Sequence, residues 1–195
     1  DRVTTFVLDA TDLGRLPELM AACRGLARID SVLIAHGVLP SQAACEADAC
    51  ATRMAIEVNG TSAVVLMGAF GELLAPRGTG VVAVIGSVAG DRGRASNYTY
   101  GCAKAMVATY AAGLRHRLAH SGVRVLTIKP GFIDTPMTAS FAGHGPLWVG
   151  PDRVARDIVE AMDRRNGTLY TPWFWRWVMW FVRAIPERLF VKTRL

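Results

Sequence analysis

A serine, two near-adjacent tyrosines and a single lysine stand together in IGSVAGDRGRASNYTYGCAKAM, residues 85–106. A phenol titrates near ~10 and exchanges protons poorly at neutral pH. An ammonium close by favours phenolate, by about one to three pKa units. That would bring a tyrosine toward the range where general acid–base work is efficient. Residues four apart share a helical face, so Tyr100 and Lys104 project together while Tyr98 points elsewhere. Ser87 lies thirteen positions before Tyr100, at the end of an apolar run, and can donate a hydrogen bond to a carbonyl oxygen. The chemistry on offer is proton transfer to a carbonyl or from an alcohol. Each residue alone has a plainer reading: Ser87 as a strand end, Tyr100 and Lys104 as an amphipathic pair.

The elements that must position these residues alternate along the chain. Apolar runs read as buried strands at Val3–Asp9, Ser31–Gly37, Gly80–Ser87 and Val123–Gly131, with a short last strand over residues 167–172. Helical patterns cover Asp12–Arg24, Ser41–Leu74 (in two pieces), Tyr98–Ser121 and Pro151–Asp163. Strands rich in Val, Ile and Leu without polar alternation belong in a parallel sheet covered on both faces. The expected fold is α/β, a Rossmann-like doubly wound parallel sheet. In such sheets ligands bind at the carboxyl ends of the strands, where Ser87 falls. The stretch Gly143–Gly150 reads as a loop inside the domain.

Composition narrows the class. The 195 residues are 51% hydrophobic and 19% charged, as in a globular domain. The net charge of +6 comes largely from scattered arginines without a compact basic block, which argues against a nucleic-acid partner. Cys23, Cys45, Cys50 and Cys102 form no C-x-x-C pair and read as reduced thiols, Cys102 as a small packing residue. His36, His116, His120 and His144 fit no triad or metal-ligand spacing and read as surface or loop residues; no metal site is expected. No stretch reads as a spanning helix of ~20 apolar residues.

With GSVAG followed by YGCAK, the chain resembles the short-chain dehydrogenase/reductase family. Three further segments agree in order and spacing: EVNGT, KPGFIDTPM and VLDATD. The resemblance spans residues 3 to about 171. It implies an NAD- or NADP-dependent oxidoreductase acting on CH–OH groups, with Ser87, Tyr100, Lys104 and Asn59 catalytic. Asn59 would join a water-linked relay to Lys104. Asp9 would contact adenine. Ala35, Gly37, Pro130, Gly131, Ile133 and Thr135 would complete the cofactor site with Tyr100 and Lys104, Thr135 holding the carboxamide. The plainer readings of Asn59 and Thr135 are turn or cap residues. Two departures stand out. IAHG replaces the family's Asn-Asn-Ala-Gly, so the asparagine bonds that brace the central sheet are expected to be missing. The family's opening strand and glycine-rich turn have no counterpart. The expectation is therefore a partial Rossmann domain over 1–171 that lacks its first two βα units, binds dinucleotide poorly by itself, and conceals the residue that chooses NAD or NADP.

The tail, 172–195, holds four of the five tryptophans within eight residues. A helix over 173–184 would be apolar nearly all round and too short to cross a bilayer. Two readings stay open. Tryptophan with arginine suits a helix lying in a membrane interface; the other is packing on the domain or at a subunit interface. The tail also resembles that of family members acting on polyprenyl-phosphate sugars. This implies a small-molecule or lipid-linked carbonyl substrate, a keto-sugar, met at the inner face of a membrane by a cytoplasmic, peripheral enzyme. Family likeness implies a homo-oligomer. The competing functions are a non-catalytic dinucleotide sensor and a membrane-associated scaffold of the same fold.

Overall fold

Four apolar runs become one parallel sheet: β1 (Ser31–Ile34), β2 (Gly80–Ile85), β3 (Val123–Pro130) and β6 (Gly167–Thr171), in the order β1-β2-β3-β6. Registers are Ser31 beside Val81, Val81 beside Arg124 and Leu126 beside Gly167. The structure is a computed structural model that describes residues 3–26, 28–139, 145–164 and 166–193. His144 lies outside the described residues.

Successive strand residues point to opposite faces, and both faces are covered. On one, Val32, Ile34, Val82, Val84 and Val125 pack against α4 (Ser62–Leu74) and α5 (Tyr98–Arg117) through Met67, Leu74, Val107 and Leu114. On the other, Val81, Ala83, Leu126 and Ile128 meet Val154, Ile158 and Ala161 of α6 (Pro151–Arg164). Arg115 ties α5 to the sheet, donating to Val125 O at 2.9 Å, Thr127 Oγ1 at 3.0 Å and Gly167 O at 2.8 Å. The doubly wound α/β fold is the one expected.

Several expectations need correction. Val3–Asp9 is not a strand: it is irregular, with Val3 82% and Val7 86% exposed. A strand needs a neighbour for its backbone groups, and among the described residues none pairs with this segment or with the outer edge of β1. The helix that follows is α1 (Leu16–Arg24) after a single 3₁₀ turn at Leu13–Arg15. The predicted helical stretch from Ser41 to Leu74 is α2 (Gln42–Ala47), α3 (Ala49–Ile56), a π-helical turn at Glu57–Thr61, and α4. From Ala49 to Arg77 this run is long and apolar enough, by length and composition, to cross a membrane. It is a core helix instead, with Ala63, Met67 and Leu74 against the sheet. The loop before α6 contains a two-stranded parallel pair, β4 (Phe132–Ile133) and β5 (Trp148–Val149). Cys102 is exposed, not the packing residue expected; all four cysteines are free thiols.

The tail forms α7 (Trp175–Ala184) and α8 (Glu187–Phe190). Trp175 and Met179 are buried against Val88, while Trp173, Trp177, Trp180 and Phe181 are more than half exposed. Arg92 holds α7 in place. Its guanidinium donates to Val182 O and Ile185 O, each at 2.6 Å, pairs with Glu187 at 2.8 Å, and lies 3.7 Å from the Phe190 ring centroid.

Candidate active site

Ser87 follows β2 and caps a 3₁₀ turn, Val88–Asp91, its Oγ accepting from Ala89 N at 3.1 Å. The turn sits directly on α5. A Cβ at Gly90 would come within 2.8 Å of the Lys104 carbonyl carbon, and one at Gly101 within 2.8 Å of Ala89 O. The two glycines let the serine turn and the tyrosine helix touch backbone to backbone. The far end of the turn is fixed by Asp91, buried, which forms an ion pair with Lys129 and accepts from Tyr170 OH at 2.7 Å.

Tyr100 and Lys104 share one face of α5, with Lys104 Nζ 5.6 Å from the Tyr100 ring centroid. Tyr98 points away and donates to Glu46 at 3.0 Å. The Tyr100 phenol and the Ser87 hydroxyl face the same cavity. The expected acidification of Tyr100 is reversed in the free chain. Burial pushes the phenol above its ordinary value, and the neighbouring Ser87 hydroxyl offsets this only in part. Lys104, 3% exposed, yields to the same cause: burial lowers it to about 8, and its ammonium donates to Ile85 O at 3.0 Å. Removing water disfavours the charged form of both groups.

Asn59 is fully buried in the π-helical turn, its Nδ2 donating to Ala55 O at 2.9 Å and its Oδ1 accepting from Val38 N at 3.0 Å. Gly37 is needed here, since a Cβ would fall 2.9 Å from Asn59 Oδ1. Asn59 thus ties the loop after β1 to the helical run between α3 and α4. His36, half-buried, places Nε2 2.7 Å from Ser62 Oγ, whose hydroxyl donates to Val58 O. Burial and the Lys104 charge hold its pKa below the ordinary value, and His36 sits in the loop after β1, one of the two places expected for it.

One cavity, about 140 Å³, joins most of these residues. Ser87, Tyr100, Pro130, Gly131, Ile133 and Thr135 line it, with Lys104, Asn59 and Gly37 outside the lining. Trp175 closes the outer side of Gly131: a Cβ there would overlap the indole. Thr135 caps the 3₁₀ turn Pro136–Thr138. Asp9 and Ala35 do not line the cavity; the Asp9 carboxylate accepts from Thr11 N and Oγ1, each at 2.8 Å, which keeps its pKa low. Sequence reasoning missed Arg94 and Asn97, which line the cavity from the loop between Ser87 and Tyr100. Their signal was their place between two residues already singled out.

Fold and site together define a class, and comparison with known proteins agrees. Residues 1–144 match the short chain dehydrogenase family. The chain is 34% identical over 196 residues to an uncharacterised oxidoreductase of Mycobacterium tuberculosis, covering 99% of this chain and 77% of that protein. It is 33% identical over 162 residues to an uncharacterised oxidoreductase of Streptomyces coelicolor, covering 83% and 64%. Among solved structures, a short chain dehydrogenase from Burkholderia cenocepacia in complex with NADP superposes with a TM-score of 0.84 at 21% identity, over 97% of this chain and 78% of that one. A short-chain dehydrogenase from Sphingobium yanoikuyae in complex with NADPH gives 0.76 at 25% identity, over 95% and 74%. This chain belongs to the short-chain dehydrogenase/reductase family and is an oxidoreductase of that family.

Proposed function

We propose that the protein transfers hydride between NAD or NADP and a carbonyl or alcohol substrate seated between Ser87 and Tyr100. The observation that carries this is the meeting of Ser87 and Tyr100 in one cavity at the carboxyl ends of parallel strands, with Lys104 one turn further along α5. The residues suit a nicotinamide ring. Gly86 and Gly131 offer bare backbone, Ile133 an apolar wall, Thr135 a hydroxyl, and Lys104 has N–H donors beyond the one given to Ile85 O. When bound, the cofactor supplies the hydride or accepts it.

The chain's own residues manage the proton. In reduction Tyr100 gives its phenolic proton to the substrate oxygen, and burial keeps that proton in place at neutral pH until it is needed. Ser87 donates a hydrogen bond to the same oxygen, where negative charge develops. Lys104 holds the cofactor ribose and, as a cation beside the ring, offsets the charge left on Tyr100. Asn59 positions the turn at Gly37 and links Lys104 to solvent through water. Asp9 serves the adenine end, with Ala35 and Gly37 along the cofactor's path. The test is an assay of full-length protein with NADH and NADPH against a panel of aldehydes and ketones. Carbonyl-dependent oxidation of either cofactor is expected. Cofactor binding without oxidation across the panel would favour the dinucleotide sensor.

A second reading rests on the exposed aromatic face of α7. Trp177, Trp180 and Phe181 stand open beside Arg176 and Arg183, on a helix of 10 residues, about 15 Å long, with Trp173 exposed just before it. We propose that this face lies in the interface of a membrane, on its cytoplasmic side, and that the substrate there is a lipid-linked keto-sugar. Full-length protein should sediment with anionic vesicles at low salt, and Trp177→Ala with Trp180→Ala should release it. A homo-oligomer burying the same face would appear instead as concentration-dependent mass with no vesicle binding.

A further inference from the structure

Arg94 and Asn97 enter the cavity from the loop that joins Ser87 to Tyr100. Arg94 makes no side-chain hydrogen bond or ion pair with any described residue, and its Nε is buried. Asn97 Oδ1 is buried and unpartnered too. The contrast with Arg92, two residues earlier, is sharp: that guanidinium is fully engaged by α7 and Glu187. A guanidinium is always cationic and presents a rigid fork of donors matched to carboxylate and phosphate. Leaving such a group partly buried without a partner is costly. Among the described residues no carboxylate side chain lines the cavity to match it; the neighbouring wall is Leu39, Val88, Phe132 and Met137.

We infer that Arg94 is a specificity residue: the substrate carries an anionic oxygen group, a carboxylate or a phosphate, near its carbonyl, and Arg94 binds it. The Asn97 amide takes a hydroxyl of the same substrate. The apolar wall accepts the carbon skeleton between anion and carbonyl. This deepens the oxidoreductase reading and rests on it, because the carbonyl must sit against Ser87 and Tyr100 for its anion to meet Arg94.

The experiment compares matched pairs that differ only in the anion: benzoylformate with its methyl ester, and dihydroxyacetone phosphate with dihydroxyacetone. The expected result is a kcat/KM ratio favouring the charged member of at least one pair by about tenfold or more, the scale of a charge-assisted bond. In Arg94→Met that ratio should collapse toward one, and Arg94→Lys should restore part of it. The pair that responds tells carboxylate from phosphate. A wild-type ratio at or below one in both pairs, or a ratio unchanged in Arg94→Met, overturns the inference. Titrating the protein with benzoylformate and dihydroxyacetone phosphate by tryptophan fluorescence reads the same preference without turnover. Arg94-dependent binding with no hydride transfer would sustain the anion site and sink the oxidoreductase reading; no binding of either anion would sink the site.

Discussion

Gly101 lies against the carbonyl of Ala89 so closely that a Cβ at 101 would stand 2.8 Å from that oxygen. This contact joins the turn after Ser87 to the helix that carries Tyr100 and Lys104. Ser87, Tyr100 and Lys104 are thus held by backbone against backbone, with no flexible side chain between the two elements.

Adding one methyl at that contact should separate the two elements. Gly101→Ala is expected to cost about 1–3 kcal/mol of stability, the usual scale for overpacking. Activity should fall further than the stability loss explains, because Ser87 moves relative to Tyr100. Gly113→Ala on the same helix is the control, since a Cβ there meets nothing. Chemical denaturation and kcat/KM measured on both variants check the contrast.

Asp91 anchors the other end of the serine turn. Removing its charge leaves Lys129 partly buried without its ion partner and Tyr170 without its acceptor. Asp91→Ala should destabilise the protein by about 3–5 kcal/mol, the scale for breaking a buried pair from one side. The double variant Asp91→Asn with Lys129→Met should recover much of that loss. Urea titration of the three proteins reads both effects.

Lys104 contributes a pH dependence with a definite sign. Its folded pKa is lowered to about 8 from the ordinary 10.5. Between those values the unfolded chain binds more protons than the folded one, so stability from this group rises with pH across the window and is least favourable below it. The slope is at most about 1.4 kcal/mol per pH unit. Lys104→Met should erase that slope and be no less stable than the parent at pH 7, while losing turnover. Thermal unfolding from pH 7 to 10.5 without cofactor measures it. A parent whose stability is flat or falls across that range relative to Lys104→Met would contradict the assignment.

Much of the fold could be read from residue type. The Val-rich runs at 80–87 and 123–131 became the central strands within two residues of their predicted ends, because a strand buried on both faces needs no polar alternation. Val3–Asp9 has the same composition and is no strand, since composition cannot supply a hydrogen-bonding neighbour. The pair β4–β5 was illegible because two residues per strand leave no periodicity. In the site, spacing located Ser87, Tyr100 and Lys104, but the direction of the tyrosine shift depends on burial, which a spacing does not encode. The roles of His36 and Arg94 were hidden for a related reason. One is defined by Ser62, twenty-six residues away, and the other by the partner it lacks.

In the proposed mechanism Tyr100 supplies the proton to the carbonyl oxygen, and the decisive variant is Tyr100→Phe. That change removes one hydroxyl and leaves the ring beside Lys104. With a carbonyl that the parent protein reduces, turnover should fall by about 10²–10⁴-fold, the scale of general acid catalysis, while the dissociation constant for the reduced cofactor stays within about threefold. A Tyr100→Phe protein that turns over within about threefold of the parent would contradict the account.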